Sequence, residues 1–238
     1  MAEPVRLAKR VAAQVPCSRR QAEQYIEGGF VRVDGLVVDA PESRVADHQQ
    51  VAVDTTAKLS APASGATLLL HRPPGIGDDA ARALLAAPHH WAADPDRSPL
   101  LRQHLRGTVL LMPLHPDTEG LAVFSQDRRI LRKLGEDAAF IEQELVVEVA
   151  GSAPPEALAR LGHGLVRDGR PLPPCKVSWQ SEHRLRFALK GIDPSLVPWM
   201  CAQVGLQVRS LRRIRLGRVP MAALPAGQWR WLQAHERF

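Results

Sequence analysis

The sequence predicts an α+β protein of two domains: a small α/β domain at the N-terminus, then a medium domain built on a mixed, mostly antiparallel sheet. Three observations lead there. Residues 1–54 carry a helix-start signal followed by a tight-hairpin signal. Residues 55–67 (TTAKLSAPASGAT) are small, polar and proline-containing, the composition of a linker. Residues 68–238 then alternate short leucine- and valine-rich runs with helical patterns. At 238 residues and 45% hydrophobic content, the chain is long enough for one small and one medium core.

Taken in order, Val5 to Gln14 has helical spacing, with Leu7, Val11 and Ala12 apolar and Arg6, Lys9 and Arg10 on the other side. Ser18 with Gln21 three residues on is a capping box, so a second helix is expected to begin at Arg19 and to stop at Gly28-Gly29. The helical register of Tyr25 places it in the core. Phe30 to Val33 and Leu36 to Val38 flank Asp34-Gly35, a two-residue hairpin turn, and Val51 to Val53 supply a further strand. In the second domain, strands are expected at Leu68–Leu70, Val109–Met112, Leu121–Phe124, Phe140–Val149, Val177–Trp179, Leu185–Leu189 and Val208–Leu216. Helices are expected at Asp78–Ala87, Asp127–Leu134, Pro154–Leu161 and Pro194–Val204, with a hairpin-like connection at Leu165–Pro171. Residues 88–107, rich in His, Pro, Asp and Arg, carry no readable pattern.

Charge and cysteine usage narrow the function. The net charge is +6 with a pI near 9.8. Arginine outnumbers lysine and clusters at the N-terminus and around positions 209–218. Guanidinium groups bind phosphate in a planar, bidentate way and stack on bases, which points to a nucleic acid more than to an evenly solvated basic surface. Cys17, Cys175 and Cys201 are scattered with no C-x-x-C pair, as in reduced cytosolic proteins. His89 and His90 are adjacent instead of spaced on one helix face, so no metal site is expected. No apolar run reaches membrane-spanning length and the N-terminus lacks a signal-peptide core; the expectation is a cytoplasmic protein.

Two stretches carry a resemblance to a known family. Residues 5–54, with Cys17-Ser18-Arg19-Arg20 ahead of the second helix and Val31-Arg32-Val33-Asp34-Gly35 in the hairpin, resemble the RNA-binding domain of the ribosomal protein S-four type. Asp117-Thr118-Glu119-Gly120-Leu121 resembles the end of the signature loop G-R-L-D-x-D-T-x-G-L of ribosomal RNA pseudouridine synthases that carry such a domain. His71-Arg72-Pro73-Pro74-Gly75 is similar to their N-K-P-P-G, and Leu211 to Gly217 with Leu224 to Arg230 to their C-terminal segments. The resemblance implies a pseudouridine-synthase-like domain over residues 68–238 and RNA, specifically ribosomal RNA, as partner. It implies no cofactor. Arg6, Lys9, Arg10, Arg19, Arg20, Arg32 and Arg72 are the expected RNA contacts. Arg19 and Arg20 open a helix, whose free N–H groups and dipole favour phosphate.

The same resemblance implies a dismantled catalytic centre. Counting back from Thr118 puts the family's catalytic Asp at position 115, where this chain has His115; the Arg two residues earlier is Pro113. The K-x-Y strand reads Gln143-Glu144-Leu145, so the tyrosine is Leu145. The helix N-R-Q-[IV]-R-R-M aligns with Pro194 to Met200, so its arginines, including the partner of the Asp, are Pro198 and Trp199. An imidazole does not reproduce an anionic carboxylate beside a developing sugar cation. The leading expectation is a non-catalytic RNA-binding protein on this scaffold. An active uridine isomerase using a displaced carboxylate, Asp117, is the alternative. A protein-interaction module with Trp199 on its surface is the second alternative. An Arg or Lys facing Asp117 would favour the enzyme, and an apolar cleft lined by Trp199 and Leu145 the binder.

Overall fold

The computed structural model describes residues 3–57, 59 and 65–238. Much of the linker expected at 55–67 lies outside the described residues. The chain divides into two compact units, Met1–Ala66 with Arg97–Thr108, and Thr67–Asp96 with Val109–Phe238. The unreadable stretch 88–107 is thus split between them. Among the described residues no helix is long and apolar enough to cross a membrane.

The first unit begins with β1 (Val5–Arg6), α1 (Leu7–Gln14) and α2 (Arg19–Glu27), followed by β2 (Val31–Val33), β3 (Leu36–Val37), β4 (Arg44–Val45) and β5 (Val51–Val53). The capping box forms as read: Gln21 N–H donates to Ser18 Oγ, and Ser18 N–H to Gln21 Oε1 at 2.8 Å. Asp34 (φ 51°) and Gly35 (φ 83°) take the left-handed conformations of a type I′ turn, which fixes the β2–β3 register. Leu7, Val11, Ala22, Ile26 and Val31 are fully buried in one small core, with Tyr25 packed on its edge. The expected helix at Val5 starts two residues late, because Val5 and Arg6 pair with Val45 and Arg44 instead.

After β6 (Thr67–Arg72) and α3 (Asp78–Ala83), α4 (Arg102–Leu105) returns to the first unit. There the Arg102 N–H donates to Asp39 at 2.5 Å and its guanidinium to Glu42 at 2.9 Å. The chain then runs β7 (Val109–Leu111), β8 (Glu119–Ser125), α5 (Arg128–Leu131), β9 (Gln143–Gly151), α6 (Ala157–Gly162), β10 (Val166–Arg167), β11 (Arg170–Pro171), β12 (Lys176–Ser181), β13 (Arg184–Leu189), α7 (Val197–Ala202), β14 (Leu206–Leu216), β15 (Val219–Pro220) and β16 (Trp229–Trp231). One sheet of nine strands organises this unit in the order β12-β13-β9-β14-β8-β6-β16, with β7 on β8 and β15 on β14. All pairings are antiparallel except β14 with β8. The mixed, mostly antiparallel sheet is as the sequence indicated.

Every expected element has a counterpart, and the differences are at the ends. The helix after Asp127 stays α-helical only to Leu131 and widens into a π-turn over Arg132–Glu136. The strand expected from Phe140 starts at Gln143, leaving Phe140 exposed in a 3-10 turn. The strand β16 was not read as one: its three residues, Trp229 to Trp231, are all buried against β6.

Candidate functional site

The signature loop joins β7 to β8 and is held from beneath by two buried arginines. Arg213 on β14 has no exposed surface. Its Nη1 donates to Met112 O at 2.8 Å and to Gln143 Oε1 at 2.9 Å, and its Nε and Nη2 donate to Leu121 O at 2.8 and 2.6 Å. Arg72 at the end of β6 is equally buried. Its Nη1 donates to Leu114 O at 2.7 Å, and its Nη2 to His115 O at 3.1 Å and Ile76 O at 2.5 Å. Gly75 N–H donates to Pro116 O and Thr118 N–H to His115 O, both at 2.9 Å. Gly120 is obligatory: its φ is +123°, and a Cβ there would lie 2.2 Å from the Arg213 carbonyl oxygen. Burial, then the Arg72 cation, push Arg213 down to about 9, and burial pushes Arg72 down as well. The one acid beside either guanidinium among the described residues is Asp78, 3.6 Å from Arg72 and half exposed.

The loop's own side chains point two ways. Leu114 and Thr118 are buried, whereas His115 is 56% exposed and Asp117 86% exposed. The one basic side chain within 4 Å of the Asp117 carboxylate, among the described residues, is the His115 imidazole at 3.6 Å. Among the described residues no Arg or Lys lies within salt-bridge reach of it. Glu119, the remaining acid of the loop, lies 2.8 Å from His71 Nε2. The remaining positions singled out by resemblance lie apart from a carboxylate. Leu145 sits opposite Arg213 in the sheet register and is fully buried in the core with Phe187 and Val197. Pro198 is exposed at the start of α7, and Trp199 is half-buried with the Arg167 guanidinium 5.5 Å above its ring.

A carboxylate with strong cationic partners does exist nearby in sequence, at Glu144. It projects from the opposite face of β9 and binds Arg186 at 2.5 Å and Arg215 at 2.9 Å. Arg215 first, then Arg186, hold its carboxyl below the usual value of 4.5 against the opposing effect of burial. A folded-state value below the unfolded one means stability present above the ordinary carboxylate range and lost as pH falls through the folded value. Glu144→Gln is therefore expected to flatten the acid limb of a melting-temperature profile below about pH 4.5. An unchanged limb would show the triad to be energetically silent.

In the first unit the structure gathers part of the expected basic set. Arg6, Lys9 and Arg19 line one cavity of 490 Å³ with Arg44, over an apolar floor of Val5, Ala8 and Ala12. Arg44 was not read from the sequence; it arrives through the two-residue pairing of β4 with β1, in register with Arg6. Arg20 is exposed outside this cavity. Arg10 is turned to Asp47 at 3.6 Å, and Arg32 donates to Gly35 O at 3.1 Å on the exposed hairpin. Arg72 needs correction. Expected as an RNA contact, it is fully buried with its Nη1 and Nη2 donating to loop carbonyls, so it anchors the signature loop and reaches no ligand at the surface.

Residues 5–51 match the S4 domain family. Over 235 residues the sequence is 26% identical to an uncharacterised RNA pseudouridine synthase of Aquifex aeolicus, covering 98% of this chain and 94% of that one. Over nearly its whole length the chain is similar to proteins named RNA pseudouridine synthases. It is also 25% identical to the dual-specificity RNA pseudouridine synthase of Shigella flexneri, over 98% of this chain and 77% of that protein. A crystal structure of a pseudouridylate synthase superposes with a TM-score of 0.58 at 19% identity, covering 96% of both chains, and carries the fold assignment. The α+β architecture is thus that of an S4 domain followed by a pseudouridine synthase fold. Within that fold, this chain presents an imidazole and an exposed aspartate 3.6 Å apart on the loop between β7 and β8.

Proposed function

We propose that this protein binds structured ribosomal RNA in the cytoplasm through the basic cavity of its S4 domain and does not isomerise uridine. RNA as partner is supported by the S4 match and by relatives named as RNA pseudouridine synthases. The absence of turnover rests on one observation: among the described residues no loop carboxylate has a guanidinium or ammonium partner. Asp117 is 86% exposed beside His115 alone, and the two buried guanidiniums under the loop donate to backbone carbonyls and Gln143. An acid that must be aimed by a cation and shielded from water has neither condition met here. Leu145 and Trp199 complete the picture, giving neither a phenol nor a cation.

The test is pseudouridine formation on unmodified ribosomal RNA by the wild type and by His115→Asp. Both are expected to give none above background, and neither to form a stable adduct with fluorouridine-substituted RNA. Groups that act as a unit are strongly non-additive, so one part returned to a dismantled site recovers little. Because the side chain at 115 is more than half exposed, the substitution should leave stability within about 0.5 kcal/mol. Turnover by the wild type that vanishes in Asp117→Asn and survives His115→Ala would establish the displaced carboxylate. Turnover by His115→Asp would show the rest of the centre to be intact.

A further inference from the structure

We propose that Arg167, Arg170 and Trp199 form a platform for one unpaired nucleotide of the bound RNA, its base on the indole and its phosphate at the paired guanidiniums. The platform rests on the RNA-binding reading and adds a second contact, in the other unit and of different chemistry. The β10–β11 hairpin is rooted in the core by Leu165 and Leu172, with Leu172 N–H donating to Leu165 O at 2.9 Å. Beyond that root its four strand residues, Val166, Arg167, Arg170 and Pro171, are all exposed. The turn is well formed, with Asp168 at φ 52° and Gly169 at φ 73°. A regular hairpin that projects and buries none of its strand residues contributes little to the core.

Its register makes the charge arrangement unfavourable without a ligand. Arg167 and Arg170 are direct cross-strand partners and therefore lie on the same face. Like charges so placed destabilise a strand pair. Among the described residues the one acid within salt-bridge reach of either is Asp168, 3.6 Å from Arg167 Nε and 91% exposed, where solvent screens it. A phosphate between two guanidiniums relieves that repulsion and matches their planar donor geometry. Arg167 also lies over Trp199, its guanidinium carbon 5.5 Å from the ring centroid. Trp199 is half-buried against the core, so the indole is held in place while part of its surface stays accessible. A fixed indole beside guanidinium planes is a stacking surface for nucleobases, and only an unstacked base presents its face to it.

The experiment uses the full chain, a fluorescent uridine 12-mer as single strand and a structured ribosomal RNA fragment. Trp199→Leu is expected to weaken 12-mer binding about tenfold, the size of one lost base–aromatic stack. Trp199→Phe should stay within about threefold, because stacking survives. Arg167→Gln with Arg170→Gln should weaken binding and reduce the salt slope by about 0.7, one single-strand phosphate contact. These arginines are exposed, so the double variant reads binding even if Trp199→Leu disturbs packing. A 5-iodouridine 12-mer is expected to photocross-link to the peptide containing Trp199. If the wild type binds both RNAs and none of these variants changes 12-mer affinity, or the cross-link falls only on residues 3–57, the platform is wrong while the RNA-binding reading stands. If the wild type binds neither RNA, both fall together.

Discussion

Arg213→Met is expected to destabilise the protein by about 3 kcal/mol, with a fall in melting temperature of about 10 °C. The side chain is fully buried, and its guanidinium satisfies Leu121 O, Met112 O and Gln143 Oε1. Methionine fills much of the volume and donates nothing, so these acceptors are left buried without a partner, at about 1–3 kcal/mol each. Two effects oppose the loss. A buried cation is removed, and with it the repulsion from Arg72 that helps push Arg213 down to about 9. These offsets keep the net effect well below the sum of the orphaned bonds. Because Met112 begins the signature loop with φ 47°, a strained left-handed residue, loss of its carbonyl anchor should also loosen residues 112–118 before the rest of the sheet. Hydrogen exchange at those amides is the measurement. A variant with wild-type melting and unchanged protection of Thr118 would show that Arg213 does not hold the loop.

The second large effect concerns RNA affinity. The wild type is expected to bind structured ribosomal RNA at micromolar dissociation constants or tighter, with affinity falling steeply as salt rises. Arg6→Gln, Lys9→Gln and Arg19→Gln together should weaken it by more than about tenfold and lower the salt slope by about 2.7, since each lost phosphate contact removes about 0.9. These residues share one cavity with Arg44, so their charges act on the same stretch of backbone. Arg20 is the control. It neighbours Arg19 in sequence and lies outside the cavity, and Arg20→Gln should change the slope by less than any one of the three. Equal effects of Arg19 and Arg20 would reduce the cavity to a diffuse basic surface. No effect of the triple variant would remove the S4 domain from RNA binding. The exposed Arg19 also contacts Glu23 at 3.3 Å (i,i+4), a pairing that a phosphate would have to displace.

Local signals determined much of this fold before any long-range contact is considered. Ser18 and Gln21 fix the start of α2, because a capping box satisfies two N–H groups within four residues. Asp34-Gly35 fixes a hairpin and its register, because only such residues take two left-handed conformations cheaply. Strand periodicity placed β6, β8, β13 and β14, and the resemblance singles out positions 115, 145, 198 and 199 from the one-dimensional order. What the tertiary structure alone decided depends on partners distant in the chain. Arg44 joins Arg6 through a two-residue pairing too short to leave a pattern. Arg167 meets Trp199 across thirty-odd residues, about the reach of a packed supersecondary unit. The resemblance puts Arg72 among the RNA contacts; it is buried instead, because the carbonyls of a loop 42 residues later offer its guanidinium partners that water would otherwise supply. Sequence order names the loop and helix positions that the resemblance singles out, and three-dimensional hydrogen bonding decides what the arginines around them do.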